Sequence, residues 1–358
     1  MLTHRAADAM LDVRAGPDEK PVASAACEGT EWPFVPLLRS ISLLILLCLC
    51  AASCRKQPAP ADEPAAKPAA AEDTMGLHIP DGEGDGCVWV VDGKEGGGRL
   101  FLCGTIHILR EKDYPLAPGY EAAYMYSDKL VLELAPGEAS NPELPKRMAQ
   151  IGMYTSDASL DENITADCWA RTQAWAKKHN IDASSLKRYR PWYVSIMLTA
   201  TEYADLGAKP ELGVDTHFEQ RAKDDGKPGE GLETPDFQIQ MFAGLTKKQQ
   251  ADLLEQTLAE VDVVGREYEK MIAAWRHGRL DALYEMLFSE AEKHPELVDL
   301  FLTARNLMWM DKLEVMLKRG DKAMILVGAG HLAGPSGLIE LMQKRGHRVR
   351  HYREVKDF

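Results

Sequence analysis

The sequence predicts an α/β fold: a mixed β-sheet with an N-terminal hairpin and C-terminal strands, and a large, mostly helical insert between them. Three observations predict it. Residues 87–103, CVWVVDGKEGGGRLFLC, read as two apolar strands joined by a polar, glycine-rich turn from Asp92 to Gly98. The chain closes on a second pair of strands, Ala323–Val327 and Arg348–Tyr352, separated by a helix Gly337–Lys344 and a turn at Gly346. Between these ends, apolar residues recur mainly at helical spacing. Strands at both ends of one long helical segment argue for a single sheet carrying a helical subdomain.

Taken in order, Pro118–Ser127 follows the hairpin as a helix, and Lys129–Leu134 (KLVLEL) is a short apolar run suited to a buried strand. Residues 142–206 read as helices broken at Asp161–Asn163 and around Asp182–Ser185. The most apolar of them, Pro191–Leu206, opens on a proline that suits a first helical turn. Gly213–Lys223 reads as a helix, and Glu230–Glu233 as a short extended run. Residues 235–319 are helical in pattern, with breaks near Gly244, Gly278 and Pro295. The Met and aromatic residues of Asn306–Met316 recur at helical spacing and belong to a core.

The 358 residues divide into three parts. Residues 1–53 form a signal-peptide region: Ser40–Ala52 is nearly all apolar, follows Arg39, and is shorter than the roughly 20 residues a membrane span needs. It runs into Ala51-Ala52-Ser53-Cys54, which resembles a bacterial lipobox that would leave Cys54 as a lipid-bearing N-terminus. A buried helix and an ordinary signal peptide are the alternatives. Residues 1–34 carry six acidic side chains and make a poor n-region, so initiation near Val35 is expected. Residues 54–85, rich in Pro and Ala, cannot bury enough apolar surface to offset chain entropy and are expected to be a flexible tether. Residues 86–358 are the globular domain. The expected product is an exported lipoprotein facing the periplasm, anchored in the membrane through Cys54. The outer membrane is favoured because Arg55-Lys56 lacks a retention aspartate.

Net charge is −13, and basic clusters are lacking, which argues against nucleic acid as a partner. Four of the seven cysteines (27, 48, 50 and 54) lie in the leader region or lipobox, and no Cys-x-x-Cys occurs, which excludes a zinc ribbon. Cys87 and Cys103 are equidistant from Glu95 in the hairpin. They are either a cross-strand disulfide in an oxidising compartment or two small buried thiols.

One short pattern occurs twice. RLFLC leads into Gly104-Thr105-Ile106-His107, and AMILV leads into Gly328-Ala329-Gly330-His331. Ligands of open α/β sheets bind beyond the carboxyl ends of strands, where glycine permits a sharp turn or a close approach. Two imidazoles delivered there could share one cation, whereas each motif alone is weak and fits a hydrogen-bonding histidine. Glu133, near the end of KLVLEL, and Glu233, near the end of GEGLE, would either add carboxylates to such a site or pair with a nearby arginine. His78, His217 and His294 read as tether or surface groups, and His347 and His351 as an exposed strand edge.

FLCGTIHIL, KLVLELAP, LGVDTHFEQRA, GLETPDFQIQMF, TARNLMWMDKL and ILVGAGHLAGPSGLIELMQKRGHRV, in this order between about Cys87 and Tyr352, resemble the successive motifs of the TraB/PrgY/GumN family. The animal TIKI metalloproteases are similar. Cys103 departs from the pattern, standing where an aromatic or aliphatic residue is common. The resemblance implies that His107 and His331 are the motif histidines and that Glu133 and Glu233 are the V-x-E-L and L-E-T glutamates. Arg305 and Asn306 match an Arg-Asn pair on a helix. It also implies a metal-dependent peptidase supported by manganese or cobalt; zinc is possible apart from the resemblance, on the donor types alone.

On that reading His107, Glu133 and His331 hold the metal, Glu233 is a general base, Arg305 stabilises an oxyanion and Asn306 orients a ligand. A structural salt bridge at Arg305 and a turn cap at Asn306 are the alternatives. The leading expectation is a divalent-metal-dependent envelope hydrolase acting on a peptide or a small amide or ester. A non-catalytic lipoprotein that binds a peptide or signal is the second expectation, and an iron- or haem-handling lipoprotein the third.

Overall fold

A computed structural model describes residues 84–288 and 295–355. The signal-peptide, lipobox and tether assignments, including Cys54 and His78, lie outside the described residues, as does His294.

Short continuous apolar runs form the hairpin strands β1 (Val88–Asp92) and β2 (Arg99–Thr105). The apolar run KLVLEL forms β3 (Lys129–Leu134), and the short run before Thr234 forms β4 (Gly229–Glu233). The chain ends on β5 (Lys322–Gly328) and β6 (Arg348–His351). The six strands hydrogen-bond in the order β4-β3-β5-β2-β1-β6. The four strands from β4 to β2 run parallel, while β1 is antiparallel to both β2 and β6. The carboxyl ends of β2, β3, β4 and β5 therefore lie on one edge of the sheet, the edge at which parallel α/β sheets hold ligands. β5 is buried from Ala323 to Gly328, as expected of a central parallel strand covered on both faces.

One side of the sheet packs Val88, Val90, Phe101, Leu130 and Met324 against helices that include α1 (Pro118–Met125) and residues Tyr268–Trp275. The other side packs Val91, Leu100, Leu102, Val131 and Ile325 against Trp309, Met310, Leu313 and Leu317. These last four lie on the long helix Ala304–Arg319, which stops where Gly320 takes φ 86°. Left-handed φ is cheap only for glycine, so the helix ends there. The core assignment for Asn306–Met316 is thus correct on its inward face, while Leu307, Met308 and Val315 are exposed.

The expected breaks at Asp161–Asn163 and around Asp182–Ser185 are real. A single 3₁₀ turn spans Leu160–Glu162, and Asp182 caps the short helix Ala183–Leu186 by accepting from the Ser184 amide. Pro191 stands in the first turn of the helix Pro191–Asp205.

Of the two readings of the hairpin cysteines the buried thiols hold, and one expectation, the exposed edge at His347 and His351, needs correction. Strand pairing sets Val88 opposite Cys103, and the Gly104 amide donates to the Cys87 carbonyl at 2.8 Å. Cys87 is thus displaced one residue from Cys103, and both are free, buried thiols rather than a disulfide. The Cys87 thiol donates to the Trp275 carbonyl instead, 3.3 Å away. Nor are His347 and His351 a simple exposed edge. His351 packs edge-on against Trp89 at 5.2 Å, and His347 lies 3.5 Å from Glu314 with its side chain largely covered. His217 is exposed, as expected of a surface group.

Candidate functional site

Each of the four parallel strands delivers chemistry to the same edge. β2 runs into His107, β3 carries Glu133 as its penultimate residue, β4 ends on Glu233, and β5 runs into the 3₁₀ turn Ala329–Leu332 that holds His331. The helix Ala304–Arg319 brings Arg305 and Asn306 in its first turn. All six residues singled out in the sequence are therefore neighbours, and five of them are at most 3% exposed. The sixth, Glu233, has a side chain that is 4% exposed.

Arg305 stands at the centre. Its Nη2 donates to Glu133 Oε2 and to Glu233 Oε1, both at 2.6 Å, and its Nε donates to Glu233 Oε2 at 3.1 Å. Its Nη1 donates to the Phe301 carbonyl at 3.2 Å and to His331 Nε2 at 2.9 Å. A guanidinium has five N–H donors, and each of the five has an acceptor here. The plane also lies over the Trp309 ring, 4.7 Å from its centroid.

That geometry fixes the state of His331. A guanidinium can only donate, so Nε2 must accept, and the proton sits on Nδ1, which donates to Asn306 Oδ1 at 2.7 Å. The Asn306 amide nitrogen donates in turn to the carbonyls of His331 and Ser336, at 3.1 and 2.7 Å. Burial pushes the His331 pKa well below its ordinary value, and the nearby Arg305 and His107 act in the same direction.

His107 is held differently. Its Nδ1 lies 2.7 Å from Asp215 Oδ2, and its Nε2 lies 4.0 Å from Glu133 Oε1. Asp215 Oδ1 accepts from the Thr105 hydroxyl at 3.0 Å. Glu133 Oε1 also accepts from the Gly328 amide at 2.8 Å, so the glycine that ends β5 ties the two motifs together. Burial raises the Glu133 pKa, against the opposing pull of Arg305. Glu233 accepts two further hydrogen bonds, from Gln238 Nε2 at 2.8 Å and from the Trp309 indole at 3.2 Å.

Sequence reasoning gave no site role to Asp215, Thr105 or Gln238, and read Trp309 only as core. Asp215 sits in the first turn of the helix Val214–Asp225, where an acidic residue is ordinary for the helix dipole. Its place in the quoted motif LGVDTHFEQRA was the one available signal. Among the described residues, no three His, Cys, Asp or Glu side chains converge closely enough to hold a metal ion by themselves. The helix-borne Arg305 intervenes between Glu133, Glu233 and His331.

A mixed sheet with a buried His, Glu and Arg cluster at its parallel carboxyl edge defines an α/β protein with its site at the strand ends. The family model described as TraB/PrgY/gumN family matches residues 87–351, and the chain belongs to that family. It is 28% identical over 251 residues to the uncharacterized protein YbaP of Escherichia coli (strain K12), covering 69% of this chain and 89% of that protein. It is 27% identical over the same length to YbaP of Shigella flexneri. No solved structure matches.

Proposed function

We propose that this TraB/GumN-family chain is a divalent-metal-dependent hydrolase of the cell envelope, acting on a peptide or a small amide or ester. The observation that carries the reading is the charge of the buried cluster. Three carboxylates, those of Glu133, Glu233 and Asp215, with side chains at most 10% exposed, stand in a cluster that holds one guanidinium, that of Arg305. Buried anions need compensating cations, and a divalent ion matches the surplus.

The donors fit as well. His107 Nε2 and Glu133 Oε1 face each other, and the opposite nitrogen of His107 is held by a carboxylate, the pattern that orients metal-bound imidazoles. Imidazole nitrogen with carboxylate oxygen suits manganese, cobalt or zinc. His331 differs, since its Nε2 accepts from Arg305 and would join an ion only if that hydrogen bond opened.

When bound, the ion supplies Lewis acidity. The oxygens of Glu233 together already take four hydrogen bonds, so Glu233 would accept a proton as general base only by exchanging one of them. Glu233 otherwise serves to hold Arg305. Arg305 reaches an oxyanion only by exchanging one of its five acceptors. Asn306 holds the His331 ring and backbone. The envelope location and the lipid anchor rest on Ser40–Cys54 alone. Among the described residues no helix is long and apolar enough to cross a membrane.

The satisfied donors of Arg305 favour the second reading, a non-catalytic envelope lipoprotein that binds a peptide or signal at the same place. Peptide hydrolysis assayed with and without Mn²⁺ or Co²⁺ separates the two. Metal-supported turnover lost in His107→Ala supports the hydrolase. Tight peptide binding without turnover under any metal overturns it.

A further inference from the structure

We infer that Asp215, braced by Thr105, is the positioning residue that keeps the His107 proton on Nδ1 and turns Nε2 toward Glu133. This rests on the metal reading for its purpose, though not for its geometry. Asp215 Oδ2 lies 2.7 Å from His107 Nδ1, while Oδ1 takes the Thr105 hydroxyl proton at 3.0 Å. Both carboxylate oxygens are thus assigned, and a carboxylate accepts, so the imidazole must donate through Nδ1. Which nitrogen of a histidine is presented to a site is set by what the other nitrogen does.

The backbone is built to hold this contact. The segment before Asp215 runs against the segment around His107. Lys209 and Leu109 exchange amide-to-carbonyl hydrogen bonds of 2.9 and 3.3 Å, and the Val214 amide donates to the Ile106 carbonyl at 3.1 Å. Gly213 lies so close that a Cβ there would fall 2.2 Å from the His107 carbonyl oxygen. Only glycine permits that approach, and it brings the first turn of Val214–Asp225 beneath the imidazole. Thr105 is the last residue of β2, two residues before His107, so strand, imidazole and helix turn are fastened at one point. A contact made only to stabilise the fold would leave the tautomer and the affinity for a cation indifferent to Asp215.

The experiment uses the full-length protein and its Asp215→Asn, Asp215→Ala and Thr105→Val variants, with folding checked by circular dichroism. Calorimetric titration with MnCl₂ reads cation affinity. ¹⁵N-histidine NMR without metal reads the tautomer, the His107 signals being assigned by their loss in His107→Gln. Losing the outer partner of a metal-binding histidine typically weakens affinity about 10–100-fold. That loss is expected for both Asp215 variants, with a smaller one for Thr105→Val, together with loss of Nδ1 as the sole protonated nitrogen. Should Asp215→Ala fail to fold, Thr105→Val still reads both quantities. Wild-type affinity and an unchanged Nδ1–H signal in the folded variants overturn the inference. If the wild type binds no Mn²⁺, the metal reading fails separately and the NMR result alone decides the role of Asp215.

Discussion

Arg305 donates through Nη1 to Nε2 of His331 across 2.9 Å, and this single contact settles which nitrogen of the buried histidine carries its proton. The imidazole is neutral, its Nδ1–H is given to Asn306, and its lone pair is spent on a guanidinium. The motif histidines therefore enter the site in two different conditions. His107 is supported from behind by a carboxylate, and His331 is capped in front by a cation.

The keystone position of Arg305 predicts a large stability effect. Arg305→Met leaves Glu133 and Glu233 buried beside each other without their guanidinium, and breaking a buried pair costs about 3–5 kcal/mol. Arg305→Lys recovers little, because an ammonium has three donors where five acceptors wait. Urea denaturation of the two variants measures this, and a loss below about 1 kcal/mol would contradict the assignment.

His331 predicts a pH dependence. Its folded-state pKa is depressed, so between that value and about 6.5 the unfolded chain binds the proton and the native one does not. Its stabilising contribution is complete above about pH 6.5 and declines as pH falls below, at up to about 1.4 kcal/mol per pH unit. Glu133 acts in the opposite sense, since its raised pKa makes the native state lose stability as pH climbs above about 4.5. The two slopes oppose each other, so the test is a difference. Thermal melts of His331→Gln are expected to lose the part of the acid slope below about pH 6.5 that wild type shows. Parallel pH profiles for the two proteins would refute it.

The cysteines predict a chemical result. Burial raises the thiol pKa of both Cys87 and Cys103, so few thiolates are available in the native state. Peptide mapping after alkylation is expected to find neither residue labelled before denaturation and both labelled after it, without added reductant. Recovery of a Cys87–Cys103 cross-link would show that the strand pairing is wrong.

Mn²⁺ is expected to raise the melting temperature, and chelation to reverse the rise. A ligand at one hundred times its dissociation constant stabilises the native state by about 2.7 kcal/mol. His107→Ala should abolish the shift. A melting curve indifferent to Mn²⁺, Co²⁺ and Zn²⁺ in the wild type would count against the metal reading.

Much of this site was legible in the sequence because its parts are local. A strand followed by Gly-x-x-His can be read in nine residues, and so can a glutamate at the end of an apolar run. Order and type of element for β1, β2, β3 and β5 follow from the same short-range patterns, as do the helix breaks at Asp161–Asn163 and Asp182–Ser185. Tertiary structure alone decided how the parts are joined. Asp215 meets His107 across 108 positions of chain, and Arg305 meets Glu133 across 172. Hairpin register turned on one residue, enough to displace Cys87 from Cys103. Periodicity reports which side of an element faces inward, but a hydrogen bond depends on distances of about 3 Å between segments that only folding brings together. The sequence therefore determined which groups would reach the sheet edge, and the fold determined which of them would be paired with one another.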